Sequence, residues 1–431
     1  MKTNHRIFVP INIRYNIQNF IQLSYLTFVL QERKVLSFGL SFTFFSNFGQ
    51  TFLISLFVPF FLTDFNLSNT AFGSIYSVAT LSSAVILPYL GKWIDVMPIH
   101  QYSLYVALGL LTASLMVAFS WHIGFLFAGI LMLRLAGQGL SSHTAETTMA
   151  RYFKLRRGKA LSISSLGYPL GEGLLPLAVA ALLALTSWRL TWGIIAATIA
   201  LVFIPFILFL LKRSGIENAG PEDNSKPDEE ASVSQKNIYS SLINNYRFWL
   251  FLPAVLLPAF WATALFLYQV SIAESLGWTA TIIASAFIFF AVARIISALS
   301  IGPLIDRWGA RQIFPFYLLP LAAGLFVAYL HPGIWSAFLY MSLLGITMGI
   351  GSTTKSALWA ELYGTNIIGT VRSLFTSLMV FSTAISPFLM GWMLDHQIPI
   401  TTILMGAVIT VLIGTVMAFF SMSGNPKMSK S

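Results

Sequence analysis

Four ionisable side chains lie deep in long apolar runs: Arg134, Glu172, Arg294 and Lys355. Each costs about 2.5–3.5 kcal/mol at mid-helix on insertion scales, which makes it a functional candidate by default. Glu172 stands in "LGYPLGEGLLP", with three glycines and two prolines around it. A buried carboxyl is neutral when alone and charged beside an arginine, and a group with two such states suits a proton carrier. Tyr168 and Ser165 share its helical face. Gly167 and Gly171 make a small-x-x-x-small pair suited to close helix packing. Arg134 shares its face with Gln138, Ser141 and, at the end of the run, Thr148. This polar stripe must face protein or water, either as a solute or proton site or as a bridge between helices. Lys355 lies near the end of its run, where it can snorkel to the interface. Asn47, Gln50, Tyr268 and Gln269 are uncharged polar residues in apolar helices, placed to line a cavity or to bond neighbouring helices.

Enzyme chemistry is thin in this chain. The six histidines are scattered, no His/Asp/Glu cluster has metal spacing, and no GxSxG or P-loop occurs. No cofactor, metal or nucleotide drive is expected. With no cysteine there is no disulfide or thiolate site.

The elements that hold these residues follow from composition. The 431 residues are 56% hydrophobic and only 9% charged, against about 25% charged in soluble domains. Mean hydropathy is +0.77. Only helices or closed barrels satisfy their backbone in lipid, and long continuous apolar runs select helices. Twelve spans are expected, near 36–62, 71–91, 102–120, 123–147, 161–186 and 191–211, then 248–273, 280–303, 313–330, 334–357, 371–392 and 400–421. The fold class is therefore an all-α integral membrane protein. Its expected divisions are an extension 1–35, a six-helix bundle 36–212, a polar linker 213–247, a second bundle 248–422 and a tail 423–431.

Charge orients the spans. With both termini cytoplasmic, 21 of the 25 Lys and Arg residues fall in inner segments and only Arg189 in an outer loop. The net charge of +10 is thus a topology signal, and no nucleic-acid partner is expected. The expected location is the plasma membrane, a bacterial inner membrane, with lipid as the solvent and the monomer as the working unit. Residues 1–34 are apolar but interrupted, fitting an interfacial helix or an over-extended start better than a cleaved signal.

The halves repeat. "GKWIDVMPIHQ" at Gly91 and "GPLIDRWGARQ" at Gly302 lie 211 residues apart, as do Asp95 and Asp306, and Pro176 and Pro387. Glu146 and Arg157 are matched by Glu361 and Arg372 at an offset of 215. Two repeated six-span halves suit a transporter that rocks about a central site.

These strings resemble the loop between spans two and three of major facilitator superfamily transporters, G-x-x-x-D-R/K-x-G-R/K-R/K. The second copy keeps Gly302, Asp306, Arg307, Gly309 and Arg311, and departs at Ala310. The first keeps Gly91 and Asp95 but has Val96, Pro98 and His100 elsewhere in the pattern. "RLAGQG" from Arg134 is similar to the span-four motif R-x-x-x-G, and "RRGKA" from Arg156 to the four–five loop. The resemblance covers about 36 to 423. It implies two pseudo-symmetric six-helix bundles working by alternating access, with Arg134 facing a central cavity. It also implies that spans five and eight are neighbours, so Glu172 and Arg294 can pair, as a proton-coupling group or as a static seal.

Several expectations follow. Gly91 and Gly302 let helices approach closely, and Asp95 and Asp306 accept hydrogen bonds at a neighbouring helix N-terminus. With Glu146, Arg157, Glu361 and Arg372 they form two cytoplasmic latches, joined by Arg307 and Arg311. Three deep cations against one deep acid favour an anionic organic solute, with protons coupled through Glu172. A drug exporter of the same superfamily is the alternative, though its span-five Gly-Pro motif is only partly echoed. A transporter-like receptor that moves nothing is a further one.

Overall fold

The apolar runs fold as helices, and among the described residues there is no strand. The computed structural model describes residues 27–153, 156–216, 244–330, 333–363 and 368–423. Span one is two helices, Arg33–Gly49 and Thr51–Asp64, meeting at 46°. Spans two to six are Asn69–Asp95, Ile99–Ala118, Ile123–Tyr152, Arg157–Leu185 and Trp188–Ser214. Spans seven to nine are Tyr246–Leu267, Ala280–Trp308 and Ala310–Leu330. Spans ten to twelve are Ile334–Tyr363, Ile368–Asp395 and Ile400–Met422. Spans four and ten pass the expected ends 147 and 357, because their last turns are amphipathic rather than apolar. The expected extension up to residue 26, the linker residues 217–243 and the tail from 424 lie outside the described residues.

Local chemistry sets the ends. Ser68, Ser187 and Thr279 accept a backbone N–H of the first turn of spans two, six and eight, at 3.1, 3.2 and 3.2 Å, which satisfies donors a helix cannot satisfy itself. Gly215 ends span six with φ at 69°, a conformation that favours glycine. Span five is interrupted by a turn at Ser165–Leu166, because Pro169 has no N–H to give to the carbonyl four residues back.

The first six and last six spans form the two halves of the superfamily-type architecture. They meet chiefly where span two packs on span eleven and span five on span eight. We call the face carrying the two–three, four–five and eight–nine loops the basic face, and the opposite one the far face.

Candidate functional site

The site begins at the bend in span one. Gln50 is extended (φ −84°, ψ 151°), so the helix stops at Gly49 and restarts at Thr51. Asn47, one turn earlier, donates through Nδ2 to the carbonyls of Thr43, Phe44 and Gly167, at 3.2, 2.9 and 3.2 Å. Gly167 and Gly171 are the close-packing face expected of span five: a Cβ on either would land on Thr43 or Asn47. A Cβ on Gly49 would meet the span-four backbone at Leu133, Gly137 and Gln138. The bend therefore lies directly on span four.

There Leu133–Ser141 is π-helical, and Ser141 Oγ bonds the Ala136 carbonyl five residues back at 2.7 Å. Each π turn inserts one residue, setting back all that follows by about 100°. On an ideal α-helix Glu146 would stand about 120° from Arg134, Ser142 about 80° away and Ser141 only about 20° away. The insertion swings Glu146 and Ser142 onto the Arg134 face and turns Ser141 and Thr148 off it. The observed wall agrees. A cavity of ≈ 320 Å³ is lined on span four by Arg134, Gln138, Ser142, His143 and Glu146. Thr80 and Ser83 of span two and Thr383 of span eleven complete its polar lining. Ser141 and Thr148 are buried away from it.

Arg134 is only 5% exposed. One guanidinium nitrogen donates to the Gly49 carbonyl at 3.1 Å, and the group stands 5.1 Å from the centre of the Tyr76 ring. Tyr76 in turn bonds Thr51 at 2.7 Å. Arg134 therefore both reaches the cavity and ties span four to the bend of span one and to span two. Its Nε is buried without a partner among the described residues.

At mid-depth, Arg294 of span eight and Glu172 of span five form an ion pair between the halves. The carboxylate side chain is 12% exposed, and its Oε2 is buried with no hydrogen bond among the described residues. Gly173 next to it packs towards Ala291, 3.3 Å from an added Cβ, so the pair sits where two helices touch closely. Tyr168, one turn before Glu172, donates to Glu146 at 3.3 Å.

The far face is closed by contacts between the halves. Asp395, at the end of span eleven, accepts from the backbone and side chain of Asn69 (2.9 and 3.0 Å) and of Thr70 (2.8 and 2.5 Å). A carboxylate from one half thus caps the start of span two in the other, where the helix dipole favours an anion. Tyr268 donates to the Asn69 carbonyl at 2.7 Å. Gln269 donates to the Phe52 carbonyl at 2.9 Å and to Ser55 at 2.5 Å.

Several expectations change. Tyr268 and Gln269 bond span seven to spans two and one at the far face and are not on the cavity wall. Asn47 and Gln50 belong to the bend, and half-buried Lys355 lies beside Gly351; none of the three lines the cavity. Glu146 does not pair with Arg157, because the π segment turns it into the cavity. Arg157 donates instead to the Ala150 carbonyl at 3.0 Å. Asp95 forms an ion pair with Arg151 in its own half.

In the second copy, Asp306 is exposed, and Glu361 accepts the N–H of Ala310 and of Arg311, at 2.7 and 3.1 Å. Glu361 thus takes the helix-end role expected of Asp306. Gly309 precedes them with φ at 83°, which only glycine adopts at little cost. Arg311 also donates to the Met422 carbonyl at 2.9 Å, while Arg307 and Arg372 are exposed. Gly302 faces open space, and an added Cβ on Gly91 would make only ordinary contact with His143, so neither glycine marks a tight approach. Asp395 and His143 received no role from the sequence. The signals were the Ser68-Asn69-Thr70 cap and the hidden insertion in span four. Among the described residues no cluster of three or more metal-type ligands occurs.

Comparison with known proteins adds the family. The profile described as Major Facilitator Superfamily matches residues 40–270 and 254–431. No curated protein matches the chain. A bacterial homologue of the human lysosomal transporter Spinster, inward-facing and unoccupied, superposes with a TM-score of 0.69 at 13% identity, covering 91% of this chain and 97% of that one. The nucleoside transporter NupG gives 0.68 at 17%, covering 90% and 98%. A bacterial homologue of human drug peptide transporters gives 0.64 at 14%, covering 90% and 98%. At these identities the likeness is one of fold.

Proposed function

The chain belongs to the major facilitator superfamily, and we propose that it is a proton-coupled secondary transporter for a small organic solute that presents an anionic group. The observation that carries this reading is the Glu172–Arg294 pair between the halves, together with a solute-sized cavity on whose wall Arg134 stands. Sites near the midplane, where two repeats meet, are where such folds bind cargo and ions.

In this reading the basic face is cytoplasmic. The far face, sealed by Asp395, Tyr268 and Gln269, is external, and the protein works as a monomer in the plasma membrane. Asp95 with Arg151, and Glu361 with the Ala310 turn, hold the basic-face ends of their own halves. A proton on Glu172 removes the countercharge of Arg294. That weakens the bond between spans five and eight and lets the halves rock. Solute leaving for the cytoplasm is followed by proton loss and re-formation of the pair. Glu146 on the wall offsets part of the positive charge, so the anionic group is expected at the Arg134 end of the cavity.

The test has two steps. A thermal-shift screen of purified protein should find organic acids that stabilise wild type and not Arg134→Ala. Stabilisation by neutral or cationic compounds alone would overturn the anion preference. The best stabiliser is then offered to proteoliposomes under an imposed pH gradient. Wild type should accumulate it, whereas Glu172→Gln should only equilibrate it. Accumulation by the variant would remove Glu172 from coupling.

A further inference from the structure

Glu146 and Glu361 are repeat partners with different fates. Glu361 spends its carboxylate on the N–H groups of Ala310 and Arg311. The first copy offers Glu146 no equivalent, because the glycine of that turn is replaced by Pro98 and the π segment has rotated span four. Glu146 instead stands exposed on the cavity wall. Its hydrogen bond there comes from Tyr168, at 3.3 Å.

Tyr168 is the link to the coupling pair. It lies four residues before Glu172, so the two share a helical face. Glu172 faces Arg294 with one oxygen, and its other, buried Oε2 has no hydrogen bond among the described residues. On the cavity side, His143 bonds the Gly91 carbonyl at 3.1 Å and is the other titratable neighbour of Glu146. Span two and span eleven present only uncharged residues to this wall, among them Thr80, Ser83 and Thr383.

We propose that Glu146 is a second proton-carrying carboxylate, joined through Tyr168 to the Glu172–Arg294 pair, and that it exchanges that proton with the basic-face cavity. This rests on the reading of Glu172 as the coupling group. The steps balance: Glu146 first releases its own proton to cavity water, then a proton leaves the Glu172 carboxyl, one arrives on the Glu146 carboxylate, and Tyr168 ends neutral as it began. Glu172 is then charged beside Arg294, and Glu146 releases its proton to cavity water. Tyr168 is a positioning residue and relay rather than a proton store.

The chain has no cysteine, so a labelled pair at Leu185→Cys and Trp335→Cys, each 83% exposed, reports opening of the far face in lipid vesicles. Protons are the probe, and no solute is needed. The slope of the open-to-closed equilibrium against pH counts protons taken up. Wild type should show a slope near two, and Glu146→Gln and Glu172→Gln each about one. The double variant should show almost none, and Glu146→Asp should restore the wild-type slope. Tyr168→Phe should keep both protons but split the single transition into two.

A wild-type slope in Glu146→Gln, with Glu172→Gln reduced, overturns the role of Glu146 and leaves the coupling reading standing. A wild-type slope in Glu172→Gln overturns the coupling reading itself. A Tyr168→Phe profile identical to wild type overturns the link. If Glu146→Gln fails to fold, Glu146→Ala and Glu146→Asp supply the same comparison.

Discussion

Asp395→Asn tests whether one carboxylate holds the far face shut. The substitution keeps the shape of the side chain and removes its charge. Oδ1 takes two donors from Asn69, and Oδ2 takes two from Thr70. An amide keeps one oxygen, so two of the four bonds survive. The NH2 that replaces the other oxygen then points at two donors. Hydrogen bonds to charged groups contribute about 1.5–3 kcal/mol. Asp395 is exposed, so about 1 kcal/mol per bond is the better figure. Two lost bonds shift the closed-to-open ratio by about 2 kcal/mol, roughly 30-fold. The Leu185/Trp335 label pair measures that ratio directly as the weights of a short and a long distance. Thr70→Val, which removes one side-chain donor, should move it by about 1 kcal/mol, roughly fivefold. A ratio in Asp395→Asn within about threefold of wild type, a change under about 0.7 kcal/mol, would refute the claim that this cap holds the face.

Other outcomes follow from the packing. Gly167→Ala places a Cβ on Thr43 and within 2.5 and 2.6 Å of the Leu40 carbonyl oxygen and the Phe44 nitrogen. It should lower stability by about 1–3 kcal/mol in thermal unfolding. Gly302→Ala meets no atom within 4 Å and should leave the midpoint unchanged or raise it, since alanine is the better helix former. Glu361→Ala should cost about 2 kcal/mol, by stranding two N–H groups at the start of span nine, whereas exposed Asp306→Asn should be near neutral on the same unfolding curve. Arg134→Lys should lose the planar contact with Tyr76 and the fixed bond to Gly49, seen as a lower midpoint and a weakened thermal shift with organic acids.

The fold was legible because its signals are local and additive. Apolar runs, basic loops and a repeat at a fixed offset need no knowledge of three-dimensional contacts. The Glu172–Arg294 pair was legible for a related reason: both residues sit near the middle of their spans, so placing spans five and eight side by side brings them together. Residues near span ends were harder. Asp395 lies just beyond the expected end of span eleven, and its donors lie in the first turn of span two. Each looks like an ordinary loop residue until the two helix ends are set beside each other. Which of their two open roles Tyr268 and Gln269 take was hidden for the same reason, since polarity in an apolar helix does not say which half of the membrane its partner occupies.

Span four shows a different failure. Face arithmetic at about 100° per residue is sound only while each hydrogen bond spans four residues. The π segment at Leu133–Ser141 breaks that condition, and every assignment beyond it rotated together. Ser141 and Thr148 left the cavity, while Ser142, His143 and Glu146 entered it. The local sequence offers a reason for the widening. Gly137 packs against Gly49 at the bend of span one, with no room for a Cβ on either side, and Arg134 is drawn to the Gly49 carbonyl. Seating both on that bend asks more turn from the chain than an α-helix provides in the same length. The bend and the π segment are therefore two halves of one device, and the altered wall of the cavity is its consequence. A variant that straightens span one should return span four towards α geometry and withdraw Glu146 from Tyr168. Gln50→Ala, replacing the extended residue with a strong helix former, is the mildest such change. The loss of proton-linked opening in that variant, with all the carboxylates still present, would separate the geometry of the site from its composition.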